Sequence, residues 1–106
     1  MSKLAKKVAL VTGGSRGIGA AIAKRLAADG ADVAITYAKD ARAAETVVKG
    51  IESSGRKALA IQADAADPKA VKSAVEQTAR AFGQIDVLVN NAGRAIPKPF
   101  EEITRN

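Results

Sequence analysis

The chain has 106 residues, an apolar fraction of 47 %, three aromatics and a formal charge of +6, and it contains neither cysteine nor histidine. That length allows one small domain, and the composition suits a globular α/β fold rather than a disordered chain. Disulfides, thiolate or imidazole metal sites and a histidine general base are excluded, and the scattered Lys and Arg residues read as a solvated surface, not a nucleic-acid patch.

Met1 to Lys7 is basic, but no long apolar segment and no cleavage site follow it. The expectation is a cytoplasmic chain without signal peptide or membrane span. Val8 to Thr12 is apolar up to its final threonine and predicts a parallel strand covered on both faces. Gly17 to Asp29 predicts a helix whose buried face carries Ile18, Ile22 and Leu26, with Gly30 as its stop. Asp32 to Tyr37 is a second strand. Asp40 can cap a second helix, whose apolar face is Ala44, Val47, Val48 and Ile51 and which closes at Gly55. Lys57 to Gln62 is a third strand. Asp67-Pro68 is a cap followed by proline at the first helical position, Val71, Val75, Thr78 and Phe82 mark the buried stripe, and Gly83 ends this helix. Ile85 to Asn90 is the fourth strand.

Strands that alternate with helices predict an α/β Rossmann-type doubly wound parallel sheet of order 3-2-1-4, with right-handed crossovers. Its switch point falls between the first and fourth strands, where ligands bind beside the carboxyl ends. Two motifs meet there. Thr12-Gly13-Gly14-Ser15-Arg16-Gly17-Ile18-Gly19 joins the first strand to the first helix, and Asn90-Asn91-Ala92-Gly93 follows the fourth. Gly13 permits a tight turn, while Gly17 and Gly19 remove Cβ atoms from a helix N-terminus suited to a pyrophosphate.

With Asp64 after the third strand, these motifs resemble the short-chain dehydrogenase/reductase family, most closely its bacterial reductases of the 3-oxoacyl-carrier-protein type. The likeness runs from about Lys6 to Thr104. It implies that Gly13, Ser15, Arg16, Gly17, Ile18 and Gly19 hold the pyrophosphate and adenosine ribose. By the same resemblance Asp64 accepts a hydrogen bond from the adenine amino group and the Ala65 amide faces the base. Asn90, Ala92 and Gly93 then line the ribose and nicotinamide side, whereas Asn91 has a structural role, tying the fourth strand to the first with Thr12 as its partner.

The end of the second strand selects between NAD and NADP. An NAD site places a carboxylate there, and this chain instead has Tyr37-Ala38-Lys39, with no acid before Asp40. A 2′-phosphate needs cationic or amide donors, for which Arg16 and Lys39 are the candidates. NADP(H) is therefore the expected cofactor.

Members of the family work through a Tyr-x-x-x-Lys pair, a serine and a further asparagine. The one tyrosine here is Tyr37, with Ala41 four residues on, and Ser53 and Ser54 close the second helix far from the expected nicotinamide. No catalytic residue is assigned within the chain. Glu101-Glu102-Ile103-Thr104 reads as the first turn of a helix without a body, and the fourth strand as an open apolar edge. The expectation is one cofactor-binding half-domain over residues 1–106, truncated at its C-terminus. It would come from an NADP-dependent oxidoreductase that is a homo-oligomer and acts on a small carbonyl substrate such as a 3-oxoacyl thioester. The alternative is a non-catalytic NADP-binding half-domain that self-associates to complete its sheet.

Overall fold

The structure is a computed structural model, and it describes residues 4–13, 17–64 and 67–91. Four strands, β1 (Val8–Thr12), β2 (Asp32–Tyr37), β3 (Ala58–Gln62) and β4 (Val87–Asn90), alternate with α1 (Gly17–Ala28), α2 (Ala41–Ser53) and α3 (Pro68–Phe82). All strand pairs are parallel, in the order β3-β2-β1-β4. This is the expected half of a doubly wound sheet. Among the described residues, no helix is long and apolar enough to cross a membrane.

The alternation of side chains along each strand builds two cores. Ala9, Val11, Val33 and Ile35 pack under α1 and α2 with Ala23, Ala27, Ala44, Val47 and Ile51. Leu10, Ala34, Ile61 and Leu88 face the other way, onto Ala74 of α3. A central strand that is apolar on both faces thus becomes the middle layer of three.

Helix boundaries follow the local chemistry. Asp40 caps α2 by accepting from the Ala43 amide at 3.0 Å. Asp67 caps α3 through the Lys69 amide, Pro68 opens the helix, and Gly83 closes it in the left-handed region at φ 88°.

Two strands start later than their apolar runs suggest, for one shared reason. Ile85 and Asp86 lie outside β4, where the Asp86 amide donates to the Val8 carbonyl (2.8 Å) but the Val8 amide donates to the Asp86 carboxylate (2.9 Å). Lys57 lies outside β3, and its amide donates to the Asp32 carboxylate at 3.0 Å. In both places an aspartate side chain replaces the backbone acceptor that would have lengthened the ladder.

Helix α1 corrects one expectation. Its buried residues are Gly19, Ala23 and Ala27, whereas Ile22 and Leu26 are half-buried on the flank and Ile18 is 73 % exposed. The apolar stripe is turned by one residue because the helix start presses against the backbone of β1, leaving room only for small side chains on the contact face.

The Asp86 carboxyl is held below its ordinary value of 3.8, first by the Val8 amide and then by the Gln84 side-chain amide at 2.6 Å, against a smaller opposing effect of desolvation, with the nearby Lys7 charge adding least. A lowered folded-state value means that its stabilising contribution is complete above the unfolded value and is lost as pH falls through the folded one. In urea unfolding between pH 5 and pH 2.5, the wild type is expected to lose stability more steeply than Asp86→Asn. Equal slopes would show that this carboxylate does not anchor the start of β4.

Candidate functional site

The carboxyl ends of all four strands and the N-terminus of α1 meet along one edge of the sheet. Thr12 and Asn90 are register partners across the switch point between β1 and β4. The Thr12 hydroxyl donates to Asn90 Oδ1 (3.1 Å) and accepts from the Asn91 amide (3.1 Å), and both Thr12 and Asn90 are buried. Asn91 reaches over this pair, and its Nδ2 donates to the Gly13 carbonyl at 3.3 Å. The tie between β4 and β1 expected of Asn91 is present, but its side chain takes the Gly13 carbonyl as partner and only its backbone amide meets Thr12.

Gly13 turns the chain out of β1 in the left-handed region, at φ 66°. Its amide donates to Thr36 Oγ1 on β2 at 2.9 Å. Its N–H here bonds within the protein, and so does its C=O, taken by Asn91 Nδ2, so both main-chain groups of Gly13 hold the turn in place. Thr36 was not anticipated from the sequence. The available signal was a small hydroxyl residue closing the buried run Val33-Ala34-Ile35-Thr36 of β2.

Gly17 opens α1 at φ 58°, and a Cβ there would meet nothing within 4 Å. Gly19 is the opposite case: a Cβ would overlap the Gly13 carbonyl oxygen and stand 2.5 Å from Asn91 Nδ2. One glycine keeps the approach to the helix start open, and the other lets the helix lie against the strand end. The first turn of α1 carries no acid. First-turn amides have no acceptor within their own helix, and with the positive end of the helix dipole they favour an anion at such a point. Exposed Ile18 stands beside them.

The far side of the edge is formed by β2 and β3. Tyr37 is half-buried against the α1–α2 core, and its carbonyl accepts from the Ala63 amide at 2.9 Å. Ala38 and Lys39 are exposed, and Gln62 Nε2 holds the Ala38 carbonyl at 3.0 Å. The next acid, Asp40, uses its carboxylate as the cap of α2. Asp64 is exposed just past β3, with its carbonyl accepting from the Asp67 amide (2.9 Å). Gly13, Gly17, Ile18, Gly19, Tyr37, Ala38, Lys39, Asp64 and Asn90 thus belong to one edge. Ser15, Arg16, Ala65, Ala92 and Gly93, and the helical turn expected at Glu101 to Thr104, lie outside the described residues.

These residues fit a dinucleotide. An acid-free helix start suits the pyrophosphate, and at the β2 end the nearest carboxylate, Asp40, is engaged as the α2 cap instead of closing the strand as in an NAD site.

Comparison with known proteins points the same way. The short chain dehydrogenase family model matches residues 7–106. An uncharacterized oxidoreductase of Methylorubrum extorquens is 50 % identical over 104 residues, which is 98 % of this chain and 42 % of that protein. A 3-oxoacyl-[acyl-carrier-protein] reductase of Staphylococcus aureus is 51 % identical over 87 residues, 82 % of this chain and 35 % of the reductase. Among solved structures, a short chain dehydrogenase of Burkholderia cenocepacia in complex with NADP is 70 % identical with a TM-score of 0.85, matching 88 % of this chain and 38 % of that one. A blue fluorescent protein from a metagenomic library, in complex with NADPH, is 57 % identical with a TM-score of 0.83 over 90 % of this chain and 39 % of that one. The chain thus spans between a third and a half of the length of these relatives. By the family match over nearly all its residues, and by the Rossmann-type edge described above, it belongs to the short-chain dehydrogenase family.

Proposed function

We propose that this chain is the cofactor-binding half of an NADP(H)-dependent oxidoreductase that acts on a ketone, a 3-oxoacyl thioester being the first candidate. The observation that carries the cofactor choice is the end of β2. Lys39 is exposed there, while Asp40, the first acid, is engaged as the α2 cap. The NADP and NADPH named in the Burkholderia and metagenomic structures support this reading, and the S. aureus reductase supports the substrate class.

In this proposal the first-turn amides of α1 hold the pyrophosphate and Asp64 faces the adenine. Arg16 and Lys39 take the 2′-phosphate, and Asn90, Ala92 and Gly93 border the nicotinamide ribose. NADP(H), when bound, supplies or accepts the hydride. The part of this chain is to bind and orient the cofactor, and the groups that handle the substrate proton are assigned to no residue of it. A homo-oligomer of the parent protein and a cytoplasmic location belong to the same proposal.

Paired fluorescence titrations with NADPH and NADH test it. NADPH is expected to bind more tightly. Arg16→Ala is expected to weaken NADPH by about ten- to a hundredfold, the size of a lost charge-assisted phosphate contact, and to change NADH little. Equal affinities in the wild type would overturn the NADP assignment.

A further inference from the structure

Three of the four buried polar residues among those described stand at one end of the sheet. Along β2, β1 and β4 the side chains of Ala34, Leu10 and Leu88 face the α3 core. Two residues further along each strand, on the same face, come Thr36, Thr12 and Asn90. Thr12 is paired with Asn90, and Thr36 lies one step beyond the Val11–Ile35 pair. The result is a row of hydroxyl, hydroxyl and amide that closes the apolar layer just below the turn at Gly13.

Thr12 and Asn90 bond to each other, whereas Thr36 spends its oxygen on the turn, accepting the Gly13 amide at 2.9 Å. The Gly13 carbonyl is held from the opposite side by Asn91 Nδ2. A glycine at positive φ has more conformations to lose than any other residue, so its orientation depends on such anchors. Thr36 is held independently of its hydroxyl by its pairing with Ile61 of β3, next to Ile35, which pairs with Val11 of β1. Removing that oxygen therefore acts on the turn more than on the sheet.

We infer that Thr36 is a positioning residue for the cofactor loop: by holding the Gly13 amide it sets the direction in which the chain leaves β1 toward the first-turn amides of α1. This rests on the dinucleotide reading of the edge. A residue that acts on the loop affects the part of the site common to NADPH and NADH, whereas one that touches the 2′-phosphate affects NADPH alone.

The test compares Thr36→Val, which keeps the shape and removes the acceptor, with Thr36→Ser, which keeps the acceptor. Amide exchange at Gly13 is read by NMR without nucleotide, NADPH and NADH are titrated separately, and thermal melts confirm that both variants fold. Thr36→Val is expected to expose the Gly13 amide to exchange at least about tenfold faster and to weaken both nucleotides by a similar factor, about tenfold. Thr36→Ser is expected to stay within about twofold of wild type on each readout, since its acceptor is intact. Unchanged exchange at Gly13, or a loss confined to NADPH, overturns the inference. A wild type that binds neither nucleotide overturns the cofactor reading instead, and the exchange measurement still decides whether Thr36 fixes the turn.

Discussion

Gly19→Ala is expected to destabilise the protein by about 2–3 kcal/mol and to weaken dinucleotide binding by at least about tenfold. The added methyl would overlap the Gly13 carbonyl oxygen and lie 2.5 Å from Asn91 Nδ2 and 3.0 Å from the Gly13 carbonyl carbon. Two of these atoms are backbone, so no flexible side chain can move aside. Relief requires α1 to shift away from the strand end, which opens the bond between Asn91 and Gly13 and moves the first-turn amides. A more favourable helix propensity, at most about 1 kcal/mol, offsets part of the cost. Gly50→Ala is the matched control. The three atoms nearest its methyl would all be on the flexible Lys24 stem, Cε closest at 3.3 Å, and a gain of about 0.5–1 kcal/mol is expected. Urea denaturation of the two variants beside the wild type separates them. A Gly19→Ala protein as stable as the Gly50→Ala one would mean that α1 does not lie this close to β1.

The second large effect is in the core. Ile51→Ala is expected to cost about 2–5 kcal/mol, because Ile51 is 0 % exposed among Ala44, Val47 and the β2 side chains, and the truncation leaves a cavity there. Ile18→Ala, the same change at a 73 % exposed position, is expected to stay within about 0.5 kcal/mol. Each isoleucine belongs to a helical apolar stripe in the sequence, so equilibrium unfolding of this pair shows which stripe is buried. A large loss at Ile18 would put the face of α1 the wrong way round.

That pair also shows where the sequence could be read and where it could not. The order of elements, the caps at Asp40 and Asp67, the stop at Gly83 and the strand order followed from local chemistry and periodicity. The face of α1 did not. Four-residue spacing identifies an apolar stripe, but the buried side was decided by how closely the helix start approaches the strand, a distance set by Gly19 against Gly13. The start of β4 was misjudged for a similar reason. Ile85 extends the apolar run, while the Asp86 carboxylate takes the place of a backbone acceptor in the ladder. At the site, Gly13, Asn90 and Asn91 could be read from their motifs. Thr36 could not, because its importance comes from an amide 23 residues away in sequence, in the turn that follows a neighbouring strand.

The position of β1 between β2 and β4 has a kinetic consequence. During synthesis β1, β2 and β3 can pair once Gln62 has emerged, since each joins a near neighbour in sequence. The bonds of Thr12 and Gly13 to Asn90 and Asn91 span 78 or 79 residues, so they form only after α3 has crossed over and β4 has docked. Closing so long a loop costs entropy before any contact offsets it, which makes such pairings late events in folding. The clamp on Gly13 is then half-formed, through Thr36 alone, until the last described strand arrives. On the proposed cofactor reading, the strand-end part of the nucleotide site is therefore unfinished until β4 has docked, and a nascent chain gains little help from the cofactor before that step.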